Sequence, residues 1–283
     1  NKTSKYLDLS TMDKSLKTMG QVEGKQVAAP AATSQYGVIV NNDLLDSLDL
    51  TLPDTDHWTW DEFGDFAKQV SDKSGGKIIG AIAPDNGYGL QLWARQHGES
   101  LFKGNTVAIS PETLASFLQL PADWAKNGIE GSAERWSENT AATLNDTDFG
   151  KDKQAMMIAQ ATQITPYAEA AGTDNMTLVQ LPQITPGERT MYLKPGMYWA
   201  ISSGTQHPAE AAMLVDYLIN DKNVGTILGT ERGIPANNDI RKMLAKDAIG
   251  TDRTALDFVD EIQPTLGQSP SITPNGEIGR AHV

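Results

Sequence analysis

The residue types that carry catalysis or bind metal are scattered in this chain. His57, His97 and His207 are far apart, there is no His-Glu-x-x-His run, and there is no cysteine. Zinc sites and thiolate nucleophiles therefore have no signature here. Asp61 and Glu62 form a carboxylate pair of the kind general acid-base chemistry uses. They lie inside Thr59-Trp-Asp-Glu62, however, where a capping box and the helix dipole account for acidic residues without catalysis. Asn145-Asp-Thr-Asp-Phe-Gly150 has the composition of a calcium loop, yet Met157 stands where that loop's twelfth-position glutamate would be, so a turn is expected. Gly75-Gly-Lys77 lacks the spacing and the Ser/Thr of a phosphate loop, and no Gly-x-Ser-x-Gly elbow occurs. A glycoside hydrolase needs two carboxylates held across one bond, and no spacing in this chain places such a pair.

The elements that must position any site are easier to read. The chain has 283 residues, 39% hydrophobic content and a net charge of −13. That length suits one large domain or two smaller ones at roughly 100–200 residues each. The acidic balance argues against nucleic acid, which needs a basic footprint. No apolar run approaches the ~20 residues of a membrane span. Short runs such as Val27–Pro30, Val38–Val40, Ile78–Ala83, Met156–Ile158 and Leu178–Leu181, parted by Gly, Pro and Thr clusters, read as strands.

Helices are expected from Thr59 to the Gly75-Gly76 stop, with Trp60, Phe63, Phe66 and Val70 on one face. Others are expected through Leu92 and Trp93, from Ser110-Pro111 to Asn127-Gly128, and from His207-Pro208 through Leu218. Asn42–Leu48, Asn223–Leu228, Asp239–Lys246 and Thr254–Ile262 also read as helices. Pro121 should kink or split its helix. Trp124 and Trp136 are expected to pack. The class is α/β.

Several landmarks occur in order: Asn41-Asn-Asp-Leu-Leu45, Thr59-Trp-Asp-Glu-Phe63, Phe149-Gly-Lys-Asp-Lys-Gln-Ala-Met-Met-Ile158, Leu181 to Gly187, Lys194-Pro-Gly-Met-Tyr-Trp-Ala-Ile-Ser202, His207-Pro-Ala-Glu-Ala-Ala212 and Gly233-Ile-Pro-Ala236. Together, from about Gly24 to Leu244, they resemble the extracellular solute-binding proteins of ABC importers, in the sugar-binding group that includes maltose-binding protein. Val40 stands where that pattern usually has tyrosine.

The resemblance implies a two-lobe periplasmic-binding-protein-like fold, with strands crossing a hinge and the solute held in the cleft between lobes. It places residues 1–39 and 200–235 in the N-terminal lobe and 40–199 with 236–275 in the C-terminal lobe. It implies a binding protein and no enzyme, with a mono- or oligosaccharide and the membrane subunits of an ABC permease as partners. Neither nucleic acid, cofactor nor metal is expected. The protein should be a monomer, periplasmic or extracellular, in some organisms anchored as a cell-surface lipoprotein. The alternatives are a sugar hydrolase or transferase of similar build, or a binder of a non-sugar solute.

Site residues follow from the same resemblance. Ser34, Gln35 and Tyr36 precede the first crossing strand, where polar ligand contacts fall. Tyr88 stands where a stacking tyrosine is found, and glycines on both sides should leave its ring exposed. Gln160, Thr162 and Gln163 follow the Ala-Met-Met-Ile strand; Thr162 takes the place of a usual tryptophan, which points away from maltodextrins. Gln160 and Gln163 could not both face a ligand from one strand. Tyr198 and Trp199 sit on the second crossing strand, and Trp199 reads equally as hinge core or ligand stack. Arg232 is a ligand contact or a surface ion-pair partner, and Trp93 reads as helix core.

Set against the family pattern, the chain begins midway. The first lobe is expected to be incomplete, its signal segment absent and its sheet edges open, so that this piece alone should fold poorly there. The residues Glu277–Val283 match the translation of a sequencing adapter, an expected read-through that removes His282 from consideration.

Overall fold

The sequence Tyr-Gly-Val-Ile-Val-Asn forms the strand Tyr36–Asn41, and its β-branched centre is apolar on both faces. Val38, Ile39 and Val40 are wholly buried. The computed structural model describes residues 5–263, apart from 23, 105, 189 and 231, together with 266–267. Residues 277–283, and nearly all of the Pro/Ser/Thr-rich tail after Gln263, lie outside the described residues. Two compact units emerge, one of Asn1–Gln35 with Tyr192–Ser271, the other centred on Tyr36–Met191.

In the larger unit, Tyr36–Asn41 is the middle strand of a three-stranded antiparallel sheet, flanked by Met156–Gln160 and Met176–Val179. The segment Ile78–Ala83, expected as a strand, forms no named strand; Ile79 makes a parallel bridge to Gln154, with the Ile79 and Gly80 backbone bonded to Lys153, Ala155 and Met156. The segment is also held close to the helix Trp60–Lys73. A Cβ on Gly80 would stand 2.0 Å from the Ala67 carbonyl oxygen, so only glycine fits. That helix begins with the expected capping box, Thr59 accepting from the Glu62 N–H and Glu62 Oε2 accepting from the Thr59 N–H at 2.7 Å. Its apolar face, Trp60, Phe63, Phe66 and Val70, is buried. Trp58 and Phe63 meet edge to face with centroids 4.9 Å apart.

The helix Pro111–Lys126 runs unbroken through Pro121. Proline removes one N–H from the ladder, and burial of Phe117 and Trp124 on either side holds the remaining turns together. Trp124 is buried as expected, but Trp136 is 39% exposed. Leu144–Asp146 is a 3₁₀ turn, in keeping with a turn in place of a calcium loop.

The smaller unit carries a second antiparallel sheet, ordered Ile234–Pro235, Ala28–Thr33, Pro195–Ala200. Pro30 lies in its central strand, and the register shifts between Pro30 and Ala32. The bulge is how a ladder accommodates a residue with no N–H. Met12, Leu16, Ala29, Leu193, Val215, Ile219 and Ala236 form the core beneath it.

The helices Asn238–Asp247 and Gly250–Ile262 belong to this smaller unit. Among the described residues the two units divide at 35 and 191 instead of near 39, 199 and 235, and those after Met191 stay with the smaller unit. Backbone pairing explains the difference. Ala236 N–H donates to the Ala31 carbonyl at 3.1 Å, Asn238 N–H donates to the Thr11 carbonyl at 3.1 Å, and Met12 bridges Asn237.

Candidate functional site

In the larger unit the first residue of the central strand, Tyr36, faces Gln160 across the ladder. Its ring stacks on Tyr88, with centroids 4.0 Å apart and planes 12° from parallel. Such a pair contributes about 0.5–1.5 kcal/mol beyond the area it buries. Tyr88 is the second residue of the helix Gly87–Gln96, whose start is fixed by Asn86 accepting from the Gly89 N–H at 2.9 Å. Tyr88 is only 7% exposed. The flanking glycines do not bare its ring as expected, because Tyr36 covers it. Tyr36 is half-buried and forms the outer ring of the pair.

Gln160 ends its strand half-buried, and Thr162 lies half-buried in the 3₁₀ turn Ala161–Gln163. Gln163 has left the strand, and its Oε1 accepts from the Gln160 N–H at 3.0 Å. Gln163 is therefore a cap, which resolves the conflict of facing that strict alternation would have imposed. Trp93 is helix core: its indole N–H donates to Ser116 Oγ at 2.9 Å, and its ring lies against Trp60 and Phe117. Two rings and an amide on adjacent elements make a surface able to stack on the C–H face of a sugar and to pair with its hydroxyls.

The smaller unit holds the other five candidates. Gln35 is fully buried, its amide donating to the Tyr192 carbonyl at 2.9 Å and accepting from the Lys194 N–H at 3.1 Å. Ser34 is 4% exposed, and its N–H donates to the Lys194 carbonyl at 2.8 Å. Both lie in the two-residue link between Ala28–Thr33 and Tyr36–Asn41 and are taken up in bonds to the segment Tyr192–Lys194. Tyr198 and Trp199 point to opposite faces of Pro195–Ala200, as adjacent strand residues must. Trp199 packs on the core containing Met12 and Val215. Tyr198 is 39% exposed, and its hydroxyl donates to the Met19 carbonyl at 3.3 Å; partial burial pushes its phenol above the usual range. Arg232 is exposed in the turn before Ile234, where Gly233 adopts φ +99°. The structure thus brings Tyr36, Tyr88 and Gln160 together, and gives Gln35 and Trp199 structural work.

One group bonded to the loop that leads into the Tyr88 helix had no sequence signal. Glu130, in Gly128-Ile-Glu-Gly131, accepts from the Ala83 N–H at 2.8 Å through Oε2. Burial, with a smaller push from Asp85, raises its carboxyl to about 7 against the lowering effect of the Ala83 bond. Among the described residues no three His, Asp or Glu side chains gather as a metal site would require.

Residues 1–251 match the family described as bacterial extracellular solute-binding protein. Among solved structures, an extracellular solute-binding protein family 1 member from Alicyclobacillus acidocaldarius superposes with TM-score 0.80 at 23% identity, over 98% of this chain and 69% of that one. A periplasmic oligogalacturonide binding protein from Yersinia enterocolitica gives TM-score 0.77 at 19% identity, over 98% and 70%. An ABC substrate-binding protein from Listeria monocytogenes, in complex with cycloalternan, gives 0.76 at 18%, over 96% and 68%. The fold is shared across all three, and this chain, with its ring pair at the end of a central strand, belongs to the bacterial extracellular solute-binding protein family.

Proposed function

We propose that this chain is the solute-binding component of an ABC importer, capturing a mono- or oligosaccharide outside the cytoplasmic membrane and presenting it to a permease. The observation that carries the reading is the Tyr36–Tyr88 stack beside Gln160. An outer ring backed by a second ring is rigid, so little entropy is lost when a sugar face settles on it. The adjacent Gln160 amide, its oxygen accepting from the Gln163 N–H in a reciprocal capping box, brings N–H donors of the kind that pair with hydroxyls beside the ring. Similarity to proteins described as binding oligogalacturonide and cycloalternan supports a saccharide. Thr162 at a position of the pattern usually held by tryptophan favours a solute other than maltodextrin.

A thermal-shift panel of neutral and acidic sugars tests the reading. A sugar at 100 times its dissociation constant stabilises by about 2.7 kcal/mol. A shift that disappears in Tyr36→Ala supports the proposal. The absence of a shift with every sugar, in a folded protein, points to another solute; turnover of a glycoside points to an enzyme.

A further inference from the structure

We infer that Glu130 is a positioning residue for the Tyr36–Tyr88 ring pair, acting through the backbone of the loop that leads into Tyr88. The inference deepens the solute-binding reading above and rests on it for its functional meaning.

The path is short and continuous. Glu130 Oε2 accepts from the Ala83 N–H at 2.8 Å. Pro84 then packs against the first turn of the following helix, so closely that a Cβ on Gly89 would stand 2.8 Å from Pro84 Cβ. Asn86 caps that helix through the Gly89 N–H, and Tyr88, between them, lies on Tyr36. A displacement at Ala83 is therefore passed toward the ring through Pro84 and the Asn86 cap, with Gly87 held as the first residue of the capped helix.

The other end of Glu130 is equally anchored. The neighbouring Ile129 carbonyl accepts from Ser71 Oγ at 3.2 Å, and the same hydroxyl accepts from the Gly80 N–H at 3.1 Å. One serine thus ties the Glu130 segment to the start of the Ala83 loop.

The charged groups around this anchor act on it in opposite directions. Asp85, from the same loop, accepts from the Trp136 indole at 2.9 Å and lies near enough to Glu130 to repel it. Arg135 and Glu130 line one cavity, but the Arg135 Nε is held by Asp148 at 2.7 Å. The facing groups are thus two carboxylates, Asp85 and Asp148, and a guanidinium already engaged. Burial and Asp85 oppose a charge on Glu130, whereas the Ala83 bond favours one, and burial prevails to raise the carboxyl to about 7. A carboxyl oxygen accepts from the Ala83 N–H in either protonation state, so the anchor holds on both sides of that value.

Hydrogen exchange across residues 82–90, corrected for the intrinsic pH dependence of amide exchange, reads the anchor without any sugar. We expect the wild-type protein to hold its protection at both pH 6 and pH 8. Glu130→Gln, whose amide oxygen still accepts from Ala83, should keep the pH 6 protection at both values. Glu130→Ala should lose it at both, while the Trp60–Lys73 helix stays protected as a control on folding. Protection of 82–90 that survives intact in Glu130→Ala, or is lost as fully in Glu130→Gln as in Glu130→Ala, overturns the inference. A negative sugar panel leaves this result standing, and a failed exchange result leaves the sugar reading standing.

Discussion

Replacing Glu130 by glutamine should make the protein more stable above neutral pH and leave it nearly unchanged in mild acid. In the folded state the carboxyl titrates at about 7, against 4.5 for the free group. Between those values the folded chain holds a proton that the unfolded chain has released. Stability therefore falls as pH rises through this window, and the loss is complete above the folded value. The ceiling is about 3.4 kcal/mol, from roughly 1.36 kcal/mol per unit. Glu130 is half-buried, and solvent screening reduces the expected effect to about 1–2 kcal/mol. Glutamine keeps the Ala83 bond and never ionises, so its urea midpoint should be flat from pH 5 to 8.5. The wild-type midpoint should decline across the same range, at unchanged slope of free energy against urea. Parallel profiles for the two proteins would refute the burial argument, and a lower midpoint for Gln at every pH would show that the charge itself stabilises.

Three further outcomes follow from the geometry. Tyr36→Ala should weaken sugar binding at least tenfold while costing about 1–2 kcal/mol of stability, read by calorimetry and by thermal melting; unaltered affinity would remove the ring pair from the site. Trp199→Ala should cost about 2–3 kcal/mol through lost core packing and leave sugar affinity unchanged, whereas a loss of binding at unchanged melting temperature would restore it as a ligand contact. Gly80→Ala should destabilise by more than 2 kcal/mol in a urea melt, because the Ala67 backbone occupies the space a methyl needs.

The readable parts of the sequence were those whose physics is short-range. The Thr59–Glu62 box closes within one turn, and it was found where the pattern put it. Ser110-Pro111 and His207-Pro208 open helices for the same local reasons. Tyr36 and Gln160 were chosen separately, from a resemblance, and the ladder makes them partners. Other residues are not legible locally because their surroundings arrive from far along the chain. Tyr88 has glycine neighbours that suggest exposure, but the ring covering it comes from Tyr36. Gln35 carries a ligand-type amide, yet Tyr192 and Lys194 consume it. Trp199 is drawn under its sheet by residues as distant as Met12. Glu130 had no local signature, since its importance comes from Ala83 and Asp85 across a loop junction.

By itself the sequence determined the α/β class, most helix starts and the family to which the chain belongs. Those follow from capping chemistry, side-chain period and the order of landmarks, each legible within a few neighbouring residues. Only the tertiary structure decided where the chain divides, which of two adjacent strand residues faces the core, which ring of a tyrosine pair is outermost and which carboxylate is held near neutrality. Each of these depends on strand pairing and burial between segments far apart in the chain, and an alternating or apolar run is compatible with many such pairings until one register is chosen.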